Sequence, residues 1–118
     1  MAAEFLAGNR LTLLDSGGEY FPALLAEIEA AAVEIYLESY IFADDEVGHA
    51  VAGALARAAA RGVRVRVLVD GFGARNFTRD FQPRLAAAGV HTMQYRPERG
   101  RFHLKRHRLR RLHRKLAV

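Results

Sequence analysis

Arg61-Gly-Val-Arg-Val-Arg-Val-Leu-Val-Asp-Gly71 carries the clearest periodicity in the chain. Val63, Val65, Val67 and Val69 alternate with Arg64 and Arg66, and a period of two puts the valines on one face of a strand and the arginines on the other. The strand ends at Asp70-Gly71, and a loop runs on to Phe77. On its N-terminal side Val47, Val51, Ala54, Leu55 and Ala58 recur at helical spacing; Asp44 and Asp45 suit the start of that helix and Gly62 its end. On its C-terminal side Thr78 suits the cap of a third helix bearing Phe81 and Leu85. Gly89 stops that helix, and Val90 to Tyr95 reads as another strand. Helix and strand alternate, the pattern of an α/β layer structure.

Further upstream, Val33 to Phe42 is almost continuous in β-branched, aromatic and aliphatic residues. Only Glu34, Glu38 and Ser39 interrupt it, as expected of a strand covered on both faces. Ahead of it, Ser16-Gly-Gly-Glu19 has capping-box spacing, and Phe21, Leu24, Leu25, Ile28 and Ala32 share one helical stripe. Pro22 is tolerable if it falls in the first turn. Arg10 to Leu14 reads as a short first strand. With a last strand at the C-terminal end, the predicted order is β-α-β-α-β-α-β, and no internal repeat is visible.

A chain of 118 residues holds at most one small domain. Its 51% hydrophobic and 26% charged content argues against disorder over most of its length. The net charge of +5 is segregated. Arg96 to Lys115 holds ten bases and one acid, a local +9, while residues 1–95 hold eight bases and twelve acids, a local −4. Such a block suits an anionic partner, whether phosphate, nucleic acid or acidic lipid head groups, or else a solvated loop. The absence of cysteine removes disulfide and thiolate chemistry. No apolar run approaches the length of a membrane span, and no basic region precedes an apolar stretch at the N-terminus. Work on lipids is therefore expected to be peripheral or to go through parts of the protein beyond these residues.

The last seven residues, Leu112-His-Arg-Lys-Leu-Ala-Val118, carry the chemistry. On a strand, side chains two apart face one way, so His113 and Lys115 are expected together while Leu112, Leu116 and Val118 can face a core. An imidazole there can act as nucleophile or acid, and an ammonium beside it can hold a phosphate oxygen.

Five blocks, in order, resemble the first half of a phospholipase D superfamily protein, most closely the bacterial cardiolipin synthases. They are Gly8-Asn-Arg-Leu-Thr-Leu-Leu14, Tyr36-Leu-Glu-Ser-Tyr-Ile-Phe42, Asp44-Asp-Glu-Val-Gly48, Arg61 to Gly71 as quoted above, and Leu109-Arg-Arg-Leu-His-Arg-Lys-Leu-Ala-Val118. The family signature reads His-x-Lys, four residues, then Asp. Here the carboxylate would fall at position 120, two beyond Val118. The resemblance thus implies that residues 1–118 are the N-terminal part of a first phospholipase D-like domain, a layered sheet with flanking helices. About 96–111 would form a basic connection, with the second domain absent.

It also implies a two-step phosphodiester transfer that uses no metal or other cofactor. One motif's His attacks phosphorus to give a phosphohistidine, the other motif's His protonates the leaving oxygen, and water or an alcohol then accepts the group. His113 would be the first motif's catalytic imidazole, Lys115 would neutralise phosphate oxygens, and the missing Asp would orient an imidazole. In a cardiolipin synthase the phosphatidyl group passes to phosphatidylglycerol or a similar alcohol, at the cytoplasmic side of the cell membrane. The isolated chain is expected to be inactive, needing its C-terminal half or a second copy to complete the site. Two alternatives stand beside this reading. One is a phosphodiesterase or nuclease of the same superfamily, with the basic segment on nucleic acid; the other is a non-catalytic remnant that binds anions.

Other residues invite rival readings. His103-Leu-Lys105 repeats the motif spacing, but Arg110 stands where the carboxylate should be. His103 and His107 have the spacing of half a zinc site, yet arginines surround them. Gly71-Phe-Gly73 follows a strand as a dinucleotide turn would, although Asp70 would repel a pyrophosphate, which leaves a tight strand-to-loop turn. Asp44, Asp45 and Glu46 read as helix-start carboxylates rather than a magnesium site. Glu38, inside an apolar strand, needs a partner; it either supports the reaction centre by pairing with a base or makes a structural or solvent-facing contact. Arg110, Arg111 and Arg114 flank the motif. Arg114 should point away from His113, so Arg111 is the better candidate for a substrate phosphate.

Overall fold

The computed structural model describes residues 4, 6–97 and 111–118. Its elements are α1 (Gly17–Ala30), β1 (Glu34–Ser39), α2 (Glu46–Ala60), β2 (Arg64–Asp70), α3 (Phe77–Asp80), α4 (Gln82–Ala87), β3 (His91–Tyr95) and β4 (Leu116–Ala117). One sheet forms among the described residues, in the order β3-β2-β1-β4. β1, β2 and β3 are parallel; β4 returns antiparallel along β1, with Leu37 opposite Ala117 and Glu38 opposite Leu116. The α/β layering expected from the valine alternation is therefore present.

The crossovers from β1 to β2 and from β2 to β3 step the same way across the sheet. Right-handed connections then put α2 and the α3–α4 pair on one face. Alternation does the rest: Ile35 and Leu37 of β1 and Val65, Val67 and Val69 of β2 turn to that face and are buried with Leu55, Ala58, Phe77, Phe81 and Leu85. Phe42 closes the core by meeting Phe77 and Phe81 edge-on, with centroids 5.1 and 4.8 Å apart, the geometry that ring quadrupoles favour. Leu24 and Ile28 seat α1 beside α2. Glu29 braces the pair by receiving Arg57 at 2.5 Å and Arg61 at 3.1 Å. The opposite face of the sheet carries Tyr36, Glu38, Arg66, Leu68 and Met93, half-buried or exposed.

Several expectations need correction. Arg10 to Leu14 forms no strand: among the described residues no sheet edge accepts its hydrogen bonds, and Leu11 and Leu13 are 95% and 89% exposed. The strand expected over Val33 to Phe42 is shorter and fully covered on one face only. Ala32 lies beyond the end of α1, and Pro22 sits in its second turn rather than its first, where it removes the donor to the exposed Gly18 carbonyl. The capping box is half-made, since Glu19 accepts from the Asp15 N–H at 2.7 Å while the Ser16 side chain makes no cap bond.

Asp45 does cap α2, accepting the Gly48 N–H at 2.7 Å, and Gly62 ends that helix with φ +91°. Val47, expected in the core, is exposed in the first turn. The third helix is split into α3 and α4, and Thr78 lies inside α3, whose cap position is Asn76. Pro83 explains the split, because it has no N–H to give the Arg79 carbonyl. The basic connection, including His103, Lys105, His107 and Arg110, lies largely outside the described residues.

Candidate active site

Parallel strands β1 and β2 finish side by side, at Ser39 and Asp70, and the site is built on these C-terminal ends. Open α/β sheets generally place ligands there. At the end of β1 the Ser39 hydroxyl donates to the Ile41 carbonyl at 2.6 Å, bending the chain and releasing Tyr40 from the sheet. At the end of β2, Asp70 turns the chain. Its Oδ1 accepts the Phe72 and Gly73 N–H groups at 2.8 and 3.1 Å. Gly71-Phe-Gly73 is thus the tight strand-to-loop turn that its sequence suggested. It also brings Gly73 so close to Tyr40 that a β-carbon there would lie 2.3 Å from the Tyr40 carbonyl oxygen.

His113 and Lys115 meet on Tyr40. The imidazole packs on the phenol ring with centroids 4.2 Å apart, and the Lys115 ammonium lies 5.7 Å from the same ring centre, within the range of a cation–π contact. His113 is not on a strand, however. Tyr36 exchanges both backbone hydrogen bonds with Val118, which fixes the β4 register. Extended backwards, that register sets Lys115 opposite Ser39, the last residue of β1, and takes residues 113 and 114 past it, where β1 has no further backbone to offer. Tyr40 replaces the missing strand as the surface that gathers the two side chains. It is a site residue that the sequence reading did not single out, although it lies inside the Tyr36 to Phe42 block.

Arg114 does point elsewhere, pairing with Glu38 at 3.2 Å. The half-buried carboxylate thus has its basic partner beside the motif. Arg111 is placed against Asp70 at 3.8 Å and over the Phe72 ring at 5.0 Å. Lys115 lines two clefts: one with Tyr40, Phe21, Leu24, Phe42 and Val51, the other with Leu24, Ile28, Ile35, Leu116 and Val118.

Asp70 is fully buried, and its second oxygen accepts the Leu112 N–H at 2.8 Å. Burial pushes its carboxyl up. The N–H groups of Leu112, Phe72 and Gly73, with the Arg111 charge, outweigh that and hold it below its ordinary value of 3.8. A carboxyl depressed in the folded state contributes its full stability above its unfolded value and loses it as pH falls through the folded one. The side-chain carboxyl carbon of Asp70 should therefore hold its ionised signal from about pH 8 to about pH 5 and move only in stronger acid. A transition centred near neutral pH in an NMR titration would contradict this account.

Residues 24–118 match the sequence profile of the family described as cardiolipin synthase, PLD-like domain. The chain belongs to the cardiolipin synthase PLD-like family. Cardiolipin synthase B of Escherichia coli K12 is 38% identical over all 118 residues. Cardiolipin synthase B of Salmonella typhi is 39% identical over 94% of the chain, and the major cardiolipin synthase ClsA of Bacillus subtilis is 35% identical over 82%. The match covers 29%, 27% and 20% of these relatives respectively, so the chain spans less than a third of their length. A solved structure of polyphosphate kinase from Porphyromonas gingivalis superposes on 64% of the chain and 13% of its own with 28% identity. Its TM-score is 0.45, too loose to bear on fold or chemistry. Within the PLD-like domain, the matched residues include every side chain that meets on Tyr40.

Proposed function

We propose that this PLD-like domain contributes one half of a phosphatidyltransferase site of the cardiolipin synthase type. The observation that carries the reading is the convergence of His113 and Lys115 on Tyr40 at the C-terminal ends of β1 and β2. One imidazole nitrogen of His113 attacks the phosphorus of a phospholipid, and a P–N bond forms as the P–O bond to the departing glycerol breaks. The leaving oxygen takes a proton from a second acid. The hydroxyl of phosphatidylglycerol, or of a similar alcohol, then gives its proton to that same second group, now a base, and attacks phosphorus; the new P–O bond forms as the P–N bond breaks and releases the imidazole. Lys115 neutralises the non-bridging oxygens as negative charge gathers on them, which lowers the barrier electrostatically. Glu38 supports the site through Arg114, and Arg111 does so through Asp70.

Two features favour a phospholipid over a nucleic acid. The relatives are cardiolipin synthases, and the clefts on either side of Lys115 are lined mainly by apolar side chains, which suits acyl chains beside a phosphate better than a polynucleotide backbone. Among the described residues no helix is long and apolar enough to cross a membrane. The proposal places this domain peripherally, at the cytoplasmic side of the membrane. One His-x-Lys pair supplies one imidazole of the two that the reaction needs. The 118 residues alone are therefore expected to turn over little or no lipid, unless a second copy supplies the other.

The test joins this chain to the remainder of Escherichia coli cardiolipin synthase B, in place of the 29% that it matches. The joined protein and the chain alone are each given phosphatidylglycerol vesicles. Cardiolipin from the joined protein only is the expected result. Release of nucleotides from DNA without any cardiolipin would favour the nuclease alternative instead.

A further inference from the structure

Asp70 is the one carboxylate buried completely among the described residues, and the transfer chemistry gives it no direct task. Its hydrogen bonds and ion pair go to Phe72, Gly73, Leu112 and Arg111, and not to His113 or Lys115. What it does hold is the backbone one residue before His113, through the Leu112 N–H at 2.8 Å, and the Arg111 guanidinium at 3.8 Å. At the other end of the motif, Val118 exchanges two backbone hydrogen bonds with Tyr36, and Leu116 lies opposite Glu38. Residues 113–115 thus form a three-residue bridge, tied to β2 at one end and to β1 at the other. Tyr40 lies beneath its middle.

Resting on the transferase reading above, we infer that Asp70 is a positioning residue, which ties Leu112 to the end of β2 and thereby seats the His113 imidazole on Tyr40. An anchor is needed here because His113 lies past the last ladder bond of β4. Without one, a chain a few residues long has several backbone rotations with which to carry the ring off its platform. A carboxylate suits this post better than an amide or hydroxyl. It offers two separate acceptor oxygens, and Asp70 spends Oδ1 on the turn at Phe72 and Gly73 and Oδ2 on Leu112. The arrangement also links the turn that packs Gly73 on Tyr40 to the segment that packs His113 on the other contact of the same ring. Both therefore depend on one side chain.

Asp70→Asn separates these duties. Asparagine has a single acceptor oxygen, and two turn donors outbid one, so the amide NH2 faces the Leu112 N–H, donor against donor. NMR of the isotope-labelled 118-residue chain reads the result. In the parent chain the His113 and Tyr40 ring protons are expected to show a direct through-space contact, and the Leu112 amide to be protected. In Asp70→Asn the contact is lost and Leu112 exchange speeds up by about tenfold or more, the weight of a hydrogen bond to a charged group. Amides of Val65, Val67 and Phe72 keep their protection. If Asp70→Asn fails to fold, Leu112→Pro removes the same bond from the donor side and leaves the buried carboxylate in place; loss of the ring contact there supports the role. Retention of the His113–Tyr40 contact in a folded Asp70→Asn, or in Leu112→Pro, overturns it. The contact is read without substrate, so a failure to form cardiolipin would leave this anchor standing, and loss of the anchor's role would leave the chemistry of His113 standing.

Discussion

Replacing His113 with asparagine is expected to lower cardiolipin formation by the joined protein by on the order of 10⁴-fold or more, because it removes the proposed nucleophile and with it the covalent route. Asparagine keeps a polar, planar group over Tyr40 but offers no nitrogen lone pair able to displace an alkoxide from phosphorus. Binding should survive. Lys115 keeps its place near Tyr40, and the clefts lined by Leu24, Ile28 and Val51 do not involve the imidazole. Vesicle affinity is accordingly expected to change less than about twofold, since that part of the interaction is uniform between ground and transition states. Rapid quenching of the parent protein in base should trap radiolabelled phosphatidyl on His113, whereas acid should release it, as a P–N bond requires. Full turnover by His113→Asn would remove the imidazole from the mechanism. Loss of vesicle binding in parallel with turnover would point instead to a chain that only binds anions.

Much of this architecture is legible in the sequence, and the reasons differ by element. The alternation from Val63 to Val69 is locally decided: one face meets a core, the other does not, and β2 forms where the period places it. α2 is likewise fixed by neighbours, through the Asp45 cap and the positive φ at Gly62. Arg10 to Leu14 shows the limit. Its composition suits a strand, but a strand exists only where another edge receives its hydrogen bonds, and composition does not report that edge. The candidate site divides in the same way. The His-x-Lys spacing singled out His113 and Lys115 as candidates, and the two side chains do gather. They gather on Tyr40, however, and not through strand alternation, because the bend at Ser39 ends the ladder first. Asp70 was visible as the end of a strand, but its hold on Leu112 spans 42 residues of sequence. No local pattern encodes a contact of that length.

Gly73→Ala is expected to damage both the fold and the site, while Gly62→Ala damages the fold alone. At Gly62 the obstacle is conformational: φ is +91°, and a new β-carbon would meet nothing within 4 Å. The substitution should cost about 1 kcal/mol and leave the far end of the sheet untouched. At Gly73 the obstacle is contact. The new carbon would lie 2.3 Å from the Tyr40 carbonyl oxygen and 2.9 Å from a ring carbon of the same residue. A backbone carbonyl cannot swing aside as a flexible side-chain end can, so the 71–74 turn and Tyr40 must separate, at a cost of about 1–3 kcal/mol. Tyr40 is the surface on which His113 and Lys115 rest, and moving it by a fraction of an ångström displaces the His113 imidazole, the proposed nucleophile, with it. Misplacement on the scale of 1 Å is enough to cost about 100-fold in rate. Urea unfolding of the two variants, with NMR of the His113 ring protons, separates the effects: both midpoints fall, but the ring signals shift only in Gly73→Ala. Unchanged His113 signals in a destabilised Gly73→Ala would mean that Tyr40 yields without carrying the imidazole, and the platform role assigned to it would have to be abandoned.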